Sequence, residues 1–389
     1  MYNIITVTRE YGAGGAEVAK GLAERLGWEL LDRQLLHSAA EIEHVPDADM
    51  ERLDEKALSV ADRFRLHPPH ERYMHGLTAA VNRAVDRGNV VLVGRGTRHL
   101  VGDAPDALHI HLMAPQEWRV QRMAAREGWS PAEALARCTA EERMRQRFML
   151  YFFAEAVPQP ANYHLLVNTS RIPLADVVDL VAALARNDWP ATQAASQAQR
   201  VLTLARELGA GDKSLAPALG IWLGLRVYDR ELLEQEAARI GIPETQLAQV
   251  DERKSGLFRR LRTGGLEARH FEGLRLLMQE LADRGEVLLV GRGGSRFLRD
   301  HPRAFNVRVV APMAVRLRRV MEHRWLREEP ARKLIDESDA NRRGFYQYHF
   351  AADWTSPLEY HLTVNSGQLG PAAVDVLAFA AERHWSRAG

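Results

Sequence analysis

Cysteine is nearly absent from this 389-residue chain, where Cys138 stands alone. An intramolecular disulfide and any cysteine-based metal cluster are therefore excluded, and a reducing compartment is expected. Long hydrophobic runs are missing as well. No run reaches the roughly 18 apolar residues of a membrane span, so none is expected. The first residues reach Glu10 without a basic head or a long apolar stretch, unlike a secretory leader, and a cytoplasmic protein is expected. Charge of one sign is not in excess either: Lys and Arg number 52 against 51 Asp and Glu, a net +1. That balance speaks against nucleic acid or another long polyanion as partner, while leaving room for a local basic site. What remains is an ordinary globular mixture, 46% hydrophobic and 26% charged, which excludes disorder over most of the length. At roughly 150 residues per domain, two or three domains are expected.

An internal repeat organises the chain. TREYGAGG, from Thr8 to Gly15, is echoed by ARELGAGD, from Ala205 to Asp212, at a displacement of 197 residues. The same displacement carries Asp32-Arg33 onto Asp229-Arg230 and Asp54-Glu55 onto Asp251-Glu252. It carries DRGNVVLVGRG (Asp86 to Gly96) onto DRGEVLLVGRG (Asp283 to Gly293), and Arg119 and Arg122 onto Arg316 and Arg319. Tyr163-His164-Leu165 recurs as Tyr360-His361-Leu362. Solenoid repeats have periods of about 20–50 residues, so this is duplication of a whole domain. The expected organisation is a first copy at 1–187, a linker at 188–199 and a second copy at 200–389. The seam, NDWPATQAASQAQ, has a proline and no apolar periodicity.

Within each half the elements alternate. Ile4 to Thr8 predicts a strand, followed by a glycine loop and a helix from Ala16 to Leu26 closed by Gly27. Glu29 to Leu31, Val90 to Val93, His109 to Met113 and His164 to Val167 predict further strands. Their counterparts are Val201 to Leu204, Arg226 to Tyr228, Val287 to Val290, Asn306 to Val310 and His361 to Val364. Continuous apolar strands separated by helical stretches imply right-handed crossovers and a parallel sheet covered on both faces.

The strand–glycine–helix junction is an anion site by construction, because glycines let the backbone approach and helix N–H groups point outward. Gly12, Gly14 and Gly15 form it in the first half, Gly209 and Gly211 in the second. Two ligand classes compete for it. A dinucleotide fingerprint needs an acidic residue about 20 positions on, and Asp32 meets that. Its third glycine, however, is replaced by Glu17 in one half and Ser214 in the other. The P-loop pattern G-x-x-x-x-G-K-[ST] places Arg9 or Arg206 at the first glycine, and Gly15 or Asp212 at the lysine. Lys213 and Ser214 follow one place late. Arg9 and Arg206 stand at the loop mouth to supply charge, or simply pair with Glu10 and Glu207.

With these residues in view, both halves resemble the cytidylate kinase-like family of P-loop proteins, which is similar to bacterial cytidylate kinases. The shared motifs are T/S-R-E-Y/F-G-S/A-G-G, an Asp-Arg after the second strand, V-x-V-G-R-G, and a distal R-R-x-x-Y-Y…D-W…P…Y block. The first half keeps the glycine motif but has Ala156-Val157 in place of Asp-Trp. The second half departs at Asp212 yet retains Arg342-Arg343, Phe345-Tyr346, Asp353-Trp354 and Tyr360. The resemblance implies an α/β fold, two tandem P-loop NTPase domains of three layers with a parallel sheet. It also implies transfer of the ATP γ-phosphoryl group to CMP, dCMP or a similar monophosphate, with ATP and Mg²⁺ as cofactors.

On that resemblance Arg95 and Arg292 grip the acceptor phosphate, and Asp32-Arg33 and Asp229-Arg230 shape its pocket. Arg143 and Arg145, or Arg342 and Arg343, form the lid over the donor phosphates. Ser214 offers a hydroxyl to Mg²⁺, where Glu17 stands in the first half. A nucleotide-binding regulatory or scaffold protein without turnover is the alternative, because neither half has the loop lysine. The tandem copies leave an intramolecular pseudo-dimer of the halves open. Elsewhere, Arg316 to Arg319 taken alone reads as a solvated face, and Phe345 to Tyr348 as either helix packing or base stacking. His67, His70 and His75 lack a helical metal spacing, and the basic run Arg253 to Arg262 reads as a mobile loop.

Overall fold

The computed structural model describes residues 1–32, 69–94, 96–155, 157–190, 200–211, 214–229, 266–291 and 293–387. Arg33, Arg95, Ala156, Lys213, Arg230, Arg292, His67 and the Arg253 to Arg262 run lie outside them. The chain divides into two compact units, Met1–Pro190 and Ala191–Gly389.

In the first unit the strands are β1 (Ile4–Arg9), β2 (Glu29–Leu31), β3 (Val90–Val93), β4 (Ala107–Met113) and β5 (Leu165–Asn168). They lie parallel in the order β2-β3-β1-β4-β5. The connecting helices are α1 (Gly15–Leu26), α2 (Pro69–Arg87), α3 (Thr97–Val101), α4 (Gln116–Glu127), α5 (Pro131–Phe153) and α6 (Leu174–Arg186). Because side chains alternate along a strand, Ile4, Val90 and Leu92 pack on one face with Leu77, Ala80, Val81 and Ala84 of α2. Ile5, Val7 and Val91 turn to the other face, where α1 packs against α6. All four residues of β3 are buried, as a strand covered on both faces requires.

The second unit repeats the plan with β6 (Val201–Arg206), β7 (Arg226–Tyr228), β8 (Val287–Val290), β9 (Ala304–Val310) and β10 (Leu362–Asn365). Their order is β7-β8-β6-β9-β10, again parallel. The described helices are α7 (Leu215–Leu223), α8 (Leu266–Arg284), α9 (Gly294–Phe297), α10 (Met313–Arg324), α11 (Glu328–Phe350), α12 (Ser366–Leu369) and α13 (Ala372–Arg387). Leu274, Leu277, Met278 and Leu281 of α8 cover Val201, Val287 and Leu289.

The sheet interior is not wholly apolar. Thr6 hydrogen bonds with His109 at 2.8 Å, and at the matching place Thr203 donates to Asn306 Oδ1 at 2.6 Å. Polar groups buried on parallel strands need such partners to offset lost hydration. No helix of the described residues is long and apolar enough to cross a membrane. In both units the first strand lies between the third and fourth, so the chain winds outward in both directions from it. Crevices at such a reversal, beyond the carboxyl ends of the strands, are where open α/β sheets take ligands.

Candidate functional site

The glycine loops sit at that reversal. Gly12 and Gly14 have φ of 84° and 88°, a left-handed conformation that favours glycine. Their missing side chains also leave room for the protein itself. A Cβ on Gly14 would lie 2.7 Å from the Leu174 side chain, and one on Gly15 would lie 2.5 Å from Arg9 Cγ. Arg9 thus lies across the start of α1. In the second half Gly209 has φ 81°, and a Cβ there would meet the Arg316 carbonyl at 2.7 Å. Gly211 differs: its φ is not positive, and the nearest atom to an added Cβ is Arg206 Cδ at 3.6 Å. Arg206 is ion-paired with Asp229 at 3.1 Å, not with the adjacent Glu207. Asp32, the first-half counterpart of Asp229, follows β2 and is half-buried.

Behind each loop stands a buried charge cluster. Glu10 accepts from the Ala114 amide at 3.1 Å and pairs with Arg119 at 3.3 Å. Burial pushes its carboxyl above the usual range, against the pull of Arg119. Arg119 also donates to the Tyr11 carbonyl at 3.0 Å, so it ties the loop to α4. In the second half Arg316 donates to the Leu208 carbonyl at 2.8 Å and to Asp339 at 2.6 Å, and lies 3.5 Å from Glu207. Arg319 donates to the carbonyls of Gly209 at 3.3 Å and Ala210 at 2.7 Å. Arg316 and Arg319 are therefore not part of a solvated face, although Arg318 between them is exposed. Arg316 is 5% exposed, and it clamps the loop, because one helical edge turns inward where loop carbonyls need donors. Glu17, at the loop's end in the first half, is held at the surface by Arg122 at 3.0 Å and Arg126 at 3.3 Å.

A cavity opens between loop, sheet edge and long helix in each half. The distal arginines divide there: Arg145 lines the first and Arg342 the second. These two are equivalent under the 197-residue displacement, whereas Arg143 and Arg343 are exposed on outer faces of α5 and α11. The Gly94–Gly96 and Gly291–Gly293 turns border the cavities as well.

Chemically the two cavities diverge. The second is about 580 Å³, bordered by Arg206, Asp229, Glu337, Asn341, Arg342 and Trp354. Arg308 (2% exposed) is buried beside it, paired with Glu207 at 2.7 Å. Trp354 takes the Arg308 guanidinium 5.0 Å and the Arg342 guanidinium 5.5 Å from its ring centroid. Arg342 Nη1 is buried with no hydrogen-bond acceptor. Burial, together with nearby Arg206 and Arg316, lowers the Arg342 pKa against the attraction of Asp339. Phe345 and Tyr346 of the aromatic run line the cavity, while Tyr348 is 66% exposed.

The first cavity is only about 100 Å³. Where the second half has Arg308, this one has His111, which hydrogen bonds with Thr8 at 2.9 Å. Burial lowers His111 to about 3, with Arg145 adding to the effect, so it is neutral. Glu155 also borders the cavity and pairs with His99 at 2.5 Å. Tyr163 fills its floor, its hydroxyl pushed up to about 12 by burial. Three guanidiniums (Arg9, Arg119, Arg145) thus face three carboxylates (Glu10, Glu142, Glu155). In the second half five (Arg206, Arg308, Arg316, Arg324, Arg342) face Glu207, Asp229, Glu337 and Asp339. That surplus cation was not apparent in the sequence, because Arg308 lies inside an apolar strand and belongs to no motif.

Parallel sheets of this strand order, each with a glycine loop between its first strand and helix and arginines converging from later helices, define a tandem pair of P-loop kinase-type domains. The sequence pattern of the cytidylate kinase-like family matches residues 4–171 and again 201–368. The chain belongs to that family. It is 25% identical over 197 residues to a cytidylate kinase of Pyrococcus horikoshii, covering 51% of this chain and 95% of that protein. A uronate isomerase of Corynebacterium glutamicum is 32% identical over 107 residues, so that this chain spans 20% of the isomerase. Among solved structures, an uncharacterized protein from Eubacterium ventriosum aligns at 22% identity and a TM-score of 0.39, over 48% of this chain and 99% of that one.

Proposed function

We propose that the second half is an ATP-dependent nucleoside monophosphate kinase, acting on CMP, dCMP or a similar monophosphate. The first half is then a catalytically impaired copy, a nucleotide-binding or scaffold domain. One observation carries the reading: a cavity of about 580 Å³ at the reversal of strand order, with surplus positive charge and a buried Arg342 Nη1 that lacks an acceptor. An unsatisfied buried guanidinium N–H is unfavourable, and a phosphate oxygen is the acceptor it fits. The volume lies within the roughly 300–1,000 Å³ of small-molecule sites, unlike the first cavity.

Phosphoryl transfer asks the protein mainly to position the reactants and to neutralise charge on the transferred group. The acceptor phosphate oxygen forms its bond to the γ-phosphorus as the bond to the β–γ bridging oxygen breaks. Arg342 and Arg206 take the charge of the phosphoryl oxygens. Gly209, Gly211 and Ser214 form the loop under the donor phosphates and Asp229 stands on the acceptor side, while the family resemblance gives Lys213 to the loop and Arg230 and Arg292 to the acceptor. Arg308 holds Trp354, and Trp354 holds Arg342. No group of three or more potential ligands among His, Cys, Asp and Glu is found among the described residues. Magnesium at such sites is held mostly by phosphate and water oxygens with one or two protein oxygens, which Ser214 and Asp229 can supply. When bound, it would neutralise phosphate charge.

The test is a coupled ADP-release assay with CMP, dCMP, UMP and AMP. Turnover with a pyrimidine monophosphate is expected. Absence of turnover with all four, alongside measurable ATP binding, would return the protein to the pseudokinase class.

A further inference from the structure

The helical hairpin bordering the second cavity carries an unburied aromatic ring. α10 ends at Arg324, and its C-cap, Trp325, has φ 55° and is 93% exposed. Bulky residues rarely adopt that left-handed backbone, and tryptophan is highly buried on average. The first half places Gly128 here, with φ 72°, so the turn itself asks for glycine. Its tryptophan comes one residue later: Trp129 lies against the Arg137 guanidinium, 4.4 Å from the ring centroid. In the second half that later position is Leu326, packed on Leu317, Val320 and Ile335.

Position gives the ring a use. Arg324 and, on the opposite arm, Leu334 both line the cavity, and Trp325 follows Arg324 directly in the chain. The same α10 clamps the carbonyls of the glycine loop through Arg316 and Arg319, which puts the hairpin on the donor side. We propose that Trp325 is a stacking platform for the base of the nucleoside triphosphate whose phosphates enter the second-half cavity. The inference rests on the kinase reading above. An exposed indole offers a π face to any base, which makes it tolerant of base identity, and a single stacked base changes affinity by about tenfold.

Calorimetric titration of the full chain with ATP and with inorganic tripolyphosphate tests it, using the unsubstituted protein, Trp325→Gly and Trp325→Phe. Trp325→Gly should weaken ATP binding about tenfold and leave tripolyphosphate binding unchanged. Trp325→Phe should keep most of the ATP affinity. Because glycine suits φ 55°, Trp325→Gly should melt no lower than the parent. Unchanged ATP affinity in Trp325→Gly overturns the platform while leaving the kinase reading standing. So does an equal loss for ATP and tripolyphosphate, which would mean that the turn shapes the loop. If the unsubstituted protein binds neither ligand, the kinase reading falls and the platform with it.

Discussion

The two halves share one plan and differ in what occupies the end of the sheet. In the first, His111 and Glu155 border a cavity of about 100 Å³, and Glu10, Glu142 and Glu155 balance its arginines. In the second, Arg308 and Ala352 stand at those positions, and a cavity of about 580 Å³ has a cation to spare. Duplication leaves one copy free to lose a function the other keeps. The divergence lies in a few side chains at the strand ends, since the cores of both sheets are built alike. The same comparison shows how an anion site is made from buried arginine: Arg308 is neutralised by Glu207, so that Arg342 remains for a ligand.

The largest expected effect tests where turnover resides. Arg342→Ala should lower it on the order of 10³-fold, the loss typical of removing a charged donor at a transferring phosphoryl group. Arg145→Ala should leave most of it, and Arg292→Ala against Arg95→Ala should rank the same way. Steady-state ADP release decides the matter, and the reverse ranking would move catalysis to the first half.

Next comes stability. Glu207→Leu strands the buried Arg308 guanidinium and leaves Arg316 to Asp339, whereas Glu10→Leu leaves Arg119 with Glu142 at 3.8 Å. Leaving a buried charge uncompensated costs about 3–5 kcal/mol, so the second unit should lose more than the first. Amide hydrogen exchange of β6 against β1 reads both. Equal losses would show that the clusters are equivalent.

Acid should then separate the units. His109 and His111 are lowered to about 3 and His164 to about 4, all chiefly by burial. In the unfolded chain these groups take up protons from about pH 6.5 downward, while the folded state resists until about pH 3–4. Their contribution is therefore complete above pH 6.5 and lost as pH falls. Between pH 6.5 and 5 each should remove about 2 kcal/mol. Denaturant melts of His111→Gln should show a shallower acid limb, and an unchanged limb would mean that His111 is solvated.

The smallest contrast lies in the loops. Gly14→Ala meets Leu174 and a left-handed backbone, and should destabilise by about 1–3 kcal/mol. Gly211→Ala meets neither and should stay within about 0.5 kcal/mol of the parent. If both are neutral by thermal melting, the first loop relaxes and its glycine is dispensable.

Much of this was legible in the sequence. Glu29–Leu31, Val90–Val93, Arg226–Tyr228 and Val287–Val290 form strands at the expected residues; for Val90–Val93 and Val287–Val290 the reason is that a strand buried on both faces must be apolar throughout. Helix α1 ends where Gly27 caps it. Less legible were the polar groups inside strands. His109, His111 and Arg308 fall inside expected strands with nothing local to mark them, since each is stabilised by a partner far along the chain. The arginines of α10 looked solvated for the same reason: a charge pattern along a helix does not say which edge faces a neighbouring loop.

By itself, then, the sequence determined the duplication, the alternation of strands and helices, the two glycine loops and the family they belong to. All of these depend on residues close together in the chain or on a repeated spacing. Tertiary structure alone decided that Arg342 and Arg145 face the cavities while Arg343 and Arg143 face solvent, and that one cavity is filled and the other open. Those outcomes depend on how each helix is rotated about its axis against the sheet. They depend also on contacts such as Arg308 with Glu207, 101 residues apart, which exist only once the strands are side by side.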